Sequence, residues 1–237
     1  MDAMKTSLLF LLLLAVPAAA ADVGEVVLVR NTVRGTAPGQ AVRSLSVGDG
    51  LALGLRVETG VGSAAKMTFD PRGALTLGAN ARVTLDRATV DQATGRNESA
   101  LSILAGSVRL ALSKLFRGEV AIDTPTATVG VKGTDVWVEV DEPTGTTVVT
   151  VLEGEVSVRS KAGGEVAVQA GTRTVVASGQ APTPPAAVEP GSSTLSASAG
   201  GPAFTPPQEA FPRFDPVPAS GGRVVQGQEG SQGPGRP

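Results

Sequence analysis

The chain has 237 residues with no Cys, His or Tyr, 30 Gly, 17 Pro, and 20 Lys plus Arg against 22 Asp plus Glu. Without thiol or imidazole there is no Cys nucleophile, disulfide, thiolate or His-ligated metal, and no His-based proton relay. Near-neutral charge excludes the basic footprint of a nucleic-acid binder, which leaves a binding or structural module with no cofactor.

The first segment, Met1 to Ala21, carries Lys5, an apolar run from Leu8 to Val16, Pro17 and then only alanines. That order is the pattern of a secretory signal peptide, with cleavage expected after Ala20 or Ala21. The apolar run is about half the roughly 20 residues a membrane helix needs, and no second hydrophobic span follows. A periplasmic or secreted chain with no transmembrane span after cleavage is expected. Its folded domain is expected over residues 22–180, standing on its core without disulfides.

Within 22–180, short apolar runs alternate with polar residues and are punctuated by Gly, the pattern of half-buried strands. Gly-centred units recur as VGEVVLVR (23–30), LAGSVRLAL (104–112), VVTVLEGEVSVRS (148–160) and VQAGTRTVV (168–176). In the third, Val149 and Val151 alternate before Gly154, and Val156 and Val158 after it, which predicts a turn or bulge at 153–155. The spacing of the units is too irregular for a fixed-period array. In residues 99–116, Leu101, Leu104, Val108, Leu112 and Leu115 also fit helical spacing. An interior Gly106 costs a helix about 1 kcal/mol, and Ile103, Val108, Leu110 and Leu112 fit two strands flanking it, so strand is expected.

In IDTPTATVGVKGTDVWVEV (122–140), Pro125 removes a ladder donor and marks a strand start or edge. Gly130 and Gly133 bracket Val131-Lys132. From Thr134 onward Val136, Val138 and Val140 share one face, and Trp137 and Glu139 the other. Trp137, the sole Trp, is expected to plug one end of the core; a stacking platform for a sugar or peptide is its functional alternative.

Residues 181–237 hold 12 of the 17 prolines and 9 of the glycines. Such a segment buries too little apolar surface to offset its ordering entropy, so a disordered tail is expected, with Pro182, Pro184 and Pro185 favouring polyproline II. Phe204, Phe211 and Phe214, in FTPPQEAFPRFDP, form a candidate short docking motif there.

The string TPTATVGVKGTDVWVEV (124–140) resembles the FecR family's Thr-Pro-x-Ala, Val-x-Gly-Thr and following aromatic-valine strand. VLEGEVSV (151–158), AGTRTVV (170–176) and RVETGVGSAAKMTFDPRGALTLGANARVTL (56–85) reinforce the resemblance. It makes Thr124, Pro125, Gly130, Gly133, Thr134, Trp137, Gly154 and Gly171 motif positions with a structural or interaction role. Regulators of that family join a cytoplasmic sigma-factor-binding segment, one membrane helix and a periplasmic sensing domain. Here a signal-like segment stands first, so the resemblance implies an exported β-rich interaction domain rather than direct sigma-factor control.

The remaining candidates for chemistry are carboxylates: Asp49, Glu58, Asp70, Asp135, Asp141, Glu142, Glu153 and Glu155. A glycosidase needs two of them across a cleft, and several sit beside Gly or Pro, where turns favour polar residues. Asp86, Asp91 and Glu98 lack calcium-loop spacing, and Ser113 and Lys114 point to opposite faces of a strand. Asn97-Glu98-Ser99 matches a glycosylation sequon by chance. The arginines, among them Arg30, Arg56, Arg82 and Arg109, are spread along the chain as on a solvated surface.

Together these readings predict one all-β domain of short strands joined by Gly-rich turns into a roll or sandwich, with a solenoid-like stacking of hairpins as its variant. The expected function is non-enzymatic: an exported domain that binds an envelope protein in signalling or assembly. A carbohydrate or peptidoglycan-binding module is the alternative, and a carboxylate hydrolase the third reading.

Overall fold

The computed structural model describes residues 22–69, 73–90, 97–114, 116 and 118–188. The signal-like segment and the three tail phenylalanines lie outside the described residues. The fold is all-β, with no helix among the described residues. Its first strands are β1 (Gly24–Arg30), β2 (Val33–Thr36), β3 (Arg43–Ser44), β4 (Arg56–Thr59), β5 (Ala64–Phe69), β6 (Gly73–Leu77) and β7 (Arg82–Val90). The long β8 (Asn97–Leu112) is followed by β9 (Gly118–Asp123), β10 (Ala127–Val131), β11 (Asp135–Val140) and β12 (Thr147–Glu153). The series ends with β13 (Glu155–Ser160), β14 (Glu165–Gln169), β15 (Thr172–Val176) and β16 (Ala186–Ala187).

These strands form two layers that share β8. The front sheet runs β1-β5-β6-β8-β11-β12-β15-β16, and the back sheet runs β3-β2-β4-β7-β8-β9-β10-β13-β14. The first half of β8 pairs with β7 and β9 in the back sheet, and its second half pairs with β6 and β11 in the front. The change of sheet falls at Gly106, whose φ is 82°. A Cβ there would lie 2.5 Å from the Ala81 Cα, so the bend admits only Gly. The 99–116 segment is thus strand on both sides of Gly106, as expected, but one bent strand rather than two.

β8 and β9 are parallel, whereas all other pairs are antiparallel. A parallel pair needs a crossover connection. Here the second half of β8 supplies it, crossing through the front sheet before the chain returns to the back one.

Apart from the β8-to-β9 return, each change of sheet uses one residue of left-handed backbone: Asn31, Gly62, Asn80, Gly106, Gly133, Gly154 and Gly171. This explains the recurring apolar-Gly unit. Three of its four copies place the Gly at a corner between layers, not at the tip of a hairpin. Neighbouring corners are tied to each other, for example by Asn31 Nδ2 donating to the Gly62 carbonyl at 2.6 Å. At 153–155 the expected break is present as Gly154, φ 85°, between β12 and β13, and a separate β11–β12 register shift leaves out Leu152.

Between the layers lies one core of Val, Leu, Ile, Ala and Met, including Met67, Leu75, Leu77, Ile103, Leu110 and Ile122. Each such side chain contributes about 1.5–3 kcal/mol by its burial. Phe69 and Phe116 pack against the core from its margin. The sheet continues past Gln180: Thr183 donates its N–H to the Val175 carbonyl at 2.9 Å, and Ala186 and Ala187 pair with Arg173 and Thr172.

Candidate functional site

Most of the motif positions explain the fold. Thr124, Thr126 and Thr147 form a buried hydroxyl chain at the hairpin-tip end of the sandwich. Thr126 donates to Thr147 Oγ1 at 2.8 Å, and Thr147 donates to Thr124 Oγ1 at 2.8 Å. Thr124 Oγ1 in turn accepts the Ala127 N–H at 2.9 Å, closing the turn that holds Pro125 between β9 and β10. Gly133, Thr134 and Gly154 meet at one corner, where a Cβ on Gly154 would come 2.6 Å from Thr134 Cγ2. A Cβ on Gly130 would strike Ser157 Oγ at 2.8 Å. Gly171 donates its N–H to the Val151 carbonyl at 2.9 Å.

Trp137 is the exception. It does not plug the core: period-two alternation sends Val136, Val138 and Val140 inward and turns Trp137 onto the outer face of the front sheet, half-buried. Its indole N–H donates to Ser107 Oγ on β8, which fixes the ring's orientation.

Strand register places Trp137 in a row of outward residues. Arg109 faces it on β8, and Thr76 and Lys66 continue the row over β6 and β5. On the other side Thr150 of β12 faces Trp137, and Arg173 of β15 faces Thr150. Arg109 and Trp137 stand side by side at the row's centre, and Thr150 forms the floor between Trp137 and Arg173. The floor is withdrawn from water: Thr150 is 6%, Ser107 5% and Glu139 4% exposed, although all are polar and on the outer face.

Around this row the charges are Lys66, Arg109, Asp135, Glu139, Glu153 and Arg173, and register adds Arg30 and Glu25 at the β1 edge of the same face. Arg109 grips Asp135 with two bonds, Nε to Oδ1 at 2.9 Å and Nη2 to Oδ2 at 2.5 Å. The Asp135 hydrogen bond raises the Arg109 pKa above the ordinary guanidinium value, against the effect of burial. Arg173 Nη1 is shielded from solvent and has no hydrogen-bond partner among the described residues. A buried donor left without an acceptor costs about 1–3 kcal/mol.

The other carboxylates are engaged in turns or ion pairs. Asp49 accepts the Ser46 N–H at 2.7 Å and pairs with Arg43 at 2.9 Å, and the Ser46 bond first of all lowers its pKa. Arg82 joins Glu58 at 3.2 Å and Glu142 at 2.8 Å. Asp141 accepts the Thr144 hydroxyl at 2.5 Å, Glu153 pairs with Lys114 at 2.9 Å, and Glu155 accepts from Gln169 at 3.3 Å. Asp86 accepts the Ser102 hydroxyl at 2.5 Å, while Asp70 and Asp91 lie outside the described residues. Among the described residues no group of three or more acids could hold a metal ion.

Lys66, Thr76, Arg109, Thr150 and Arg173 were not singled out as a site by sequence. Their signal is real but indirect, each being an outward position of an alternating strand. Only the pairing of six strands, β5 to β15 through β11, brings them into one row.

The family model described as "FecR protein" matches residues 55–157. No curated protein matches the chain. Two crystal structures of a candidate anti-sigma factor from Parabacteroides distasonis align with it at a TM-score of 0.42, with 15% and 14% identity. Each alignment covers 52% of this chain and 54% of the other, so the chain spans about half the length of those structures. The FecR match runs from the approach to β4 into β13 and takes in the motif positions Thr124 to Gly154.

Proposed function

We propose that this chain is an exported, non-enzymatic FecR-type interaction protein that docks an envelope protein in a signalling or assembly role. The FecR match over β4 to β13 carries this reading. Two features support it. The described carboxylate candidates are held by ion pairs and turn donors, Asp135 by Arg109 and its register partner Glu153 by Lys114, and neither sheet closes on itself. An open edge is a template for a partner strand. The back sheet ends at β14, which pairs with β13 on one side. The signal-like residues 1–21 and the small-residue cleavage pattern support export.

Photocrosslinking in intact cells tests the proposal. A crosslinker at Ala167 on β14 is expected to capture one envelope protein, with the adduct released by spheroplasting into the periplasmic fraction. Gln169→Pro, which removes an edge donor, is expected to weaken capture. Cytoplasmic retention of the chain, or no discrete adduct from the folded protein, would count against it.

A further inference from the structure

We propose that the outer face of the front sheet is a binding site for an acidic polysaccharide, seated across Trp137 and Arg173. Two independent features point there. The first is an aromatic platform. Trp137 is the chain's sole Trp and stands outward in the middle of a sheet. Its N–H is already committed to Ser107, so the ring is held in one orientation before any ligand arrives. Preorganisation of this kind reduces the ordering cost of binding. The second is the Arg173 guanidinium, two strands away and therefore roughly 10 Å along the row. Its Nη1 lacks an acceptor, a cost that a carboxylate drawing the side chain outward would remove.

The charge and the shape select the class of ligand. Arg109 is neutralised by Asp135, so it steadies the near wall beside Trp137, and the positive end of the trough belongs to Arg173. Between them the Thr150 hydroxyl lies at the floor. An aromatic face, a hydroxyl and a guanidinium at this spacing suit a chain of sugar rings that carry carboxylates. An extended peptide finds its main-chain partners at a sheet edge, and here the backbone of β11, β12 and β15 is paired on both sides. Arg173 lies beyond residues 55–157, so the site joins the FecR-matched residues to a strand that follows them. It is also distinct from the β14 edge, so protein capture and polysaccharide binding fail independently.

The single Trp makes the test direct. Sodium alginate titrated into the full chain is expected to change Trp137 emission saturably, and 0.5 M salt, an amount of roughly the order that screens such contacts, is expected to reverse it. Arg173→Gln is expected to weaken binding at least about tenfold, the loss of one charge-assisted hydrogen bond, while Arg159→Gln on the back sheet leaves it unchanged. Neutral dextran is expected to give no response. No emission change with alginate in the folded chain, equal affinity in Arg173→Gln, or equal affinity for dextran would each overturn the proposal. Equal affinity for poly-glutamate would overturn it too, and would reassign the face to acidic peptides.

Discussion

On the back sheet the outward charges answer one another in open solvent. Lys132 pairs with Glu119 at 3.0 Å and Arg159 with Glu165 at 2.9 Å, their side chains 45 to 69% exposed. On the front sheet, strands of the same alternating composition turn Ser107, Glu139 and Thr150 outward yet keep them almost dry around the only Trp. Exposed pairs are worth about 0–1 kcal/mol each and serve chiefly to keep a face solvated. Withdrawing polar groups from water carries a cost unless they are bonded, and such departures from local rules concentrate where a protein acts. The contrast assigns solubility to one face and recognition to the other.

The largest effect is expected where both faces depend on one residue. Gly106→Val inserts a side chain where Ala81 N and Asn80 O stand 2.7 Å from the would-be Cβ, on a backbone at φ 82°. Overpacking and left-handed strain each cost about 1–3 kcal/mol, so a loss of about 3 kcal/mol or more is expected. Urea unfolding followed by Trp137 emission and far-ultraviolet dichroism measures it. A midpoint equal to the wild type would mean that β8 does not bend there in solution.

A matched pair of arginines tests the comparison itself. Arg109→Ala leaves Asp135 partly buried without its two donors, and a loss of about 1–2 kcal/mol is expected after allowing for solvent screening. Arg159→Ala, which breaks an exposed pair on the other face, should cost no more than about 0.5 kcal/mol. Equal losses in the two variants would erase the distinction between the faces.

How much of this was legible in the chain depends on the range of the interaction. Alternation is local, so the all-β fold, the strand through Gly106 and the split of Val136, Val138 and Val140 from Trp137 and Glu139 could be read directly. Which side of a strand meets the core is not local. Trp137 was expected inside because a large aromatic gains most from burial, but the core is filled by valines and leucines, and the Ser107 hydroxyl offers the indole N–H a partner outside. The glycines at 106, 154 and 171 were recognisable as breaks. Their common role as corners needed the second layer, because a hairpin tip and a sheet change look alike along one strand. Arg109 and Arg173 lie 64 residues apart, the difference of their numbers, and nothing short of strand order could align them with Trp137.

Smaller effects separate conformational strain from packing at the corners. At Gly171, φ is 78° and nothing lies within 4 Å of a would-be Cβ. Gly171→Ala therefore meets only the left-handed backbone penalty, about 1 kcal/mol. Gly154→Ala should cost more, because Thr134 Cγ2 occupies the space. Thermal unfolding of the two variants side by side would show the order, and a reversed order would refute the packing at that corner.

The smallest effect is expected from Thr134→Val. The Thr134 hydroxyl is buried with no partner among the described residues, while its methyl group fills the space that Gly154 leaves open. Valine keeps the methyl contact and discards the orphan oxygen. Removing an unsatisfied polar group is nearly neutral or stabilising, so a change within about 0.5 kcal/mol, or a small gain, is expected. A loss above about 1 kcal/mol in the urea midpoint would show that the hydroxyl has a partner in solution, such as a trapped water. The corner would then be a polar joint, and Thr134 would leave the packing positions to join the buried hydroxyls of Thr124, Thr126 and Thr147 at the opposite end of the sandwich.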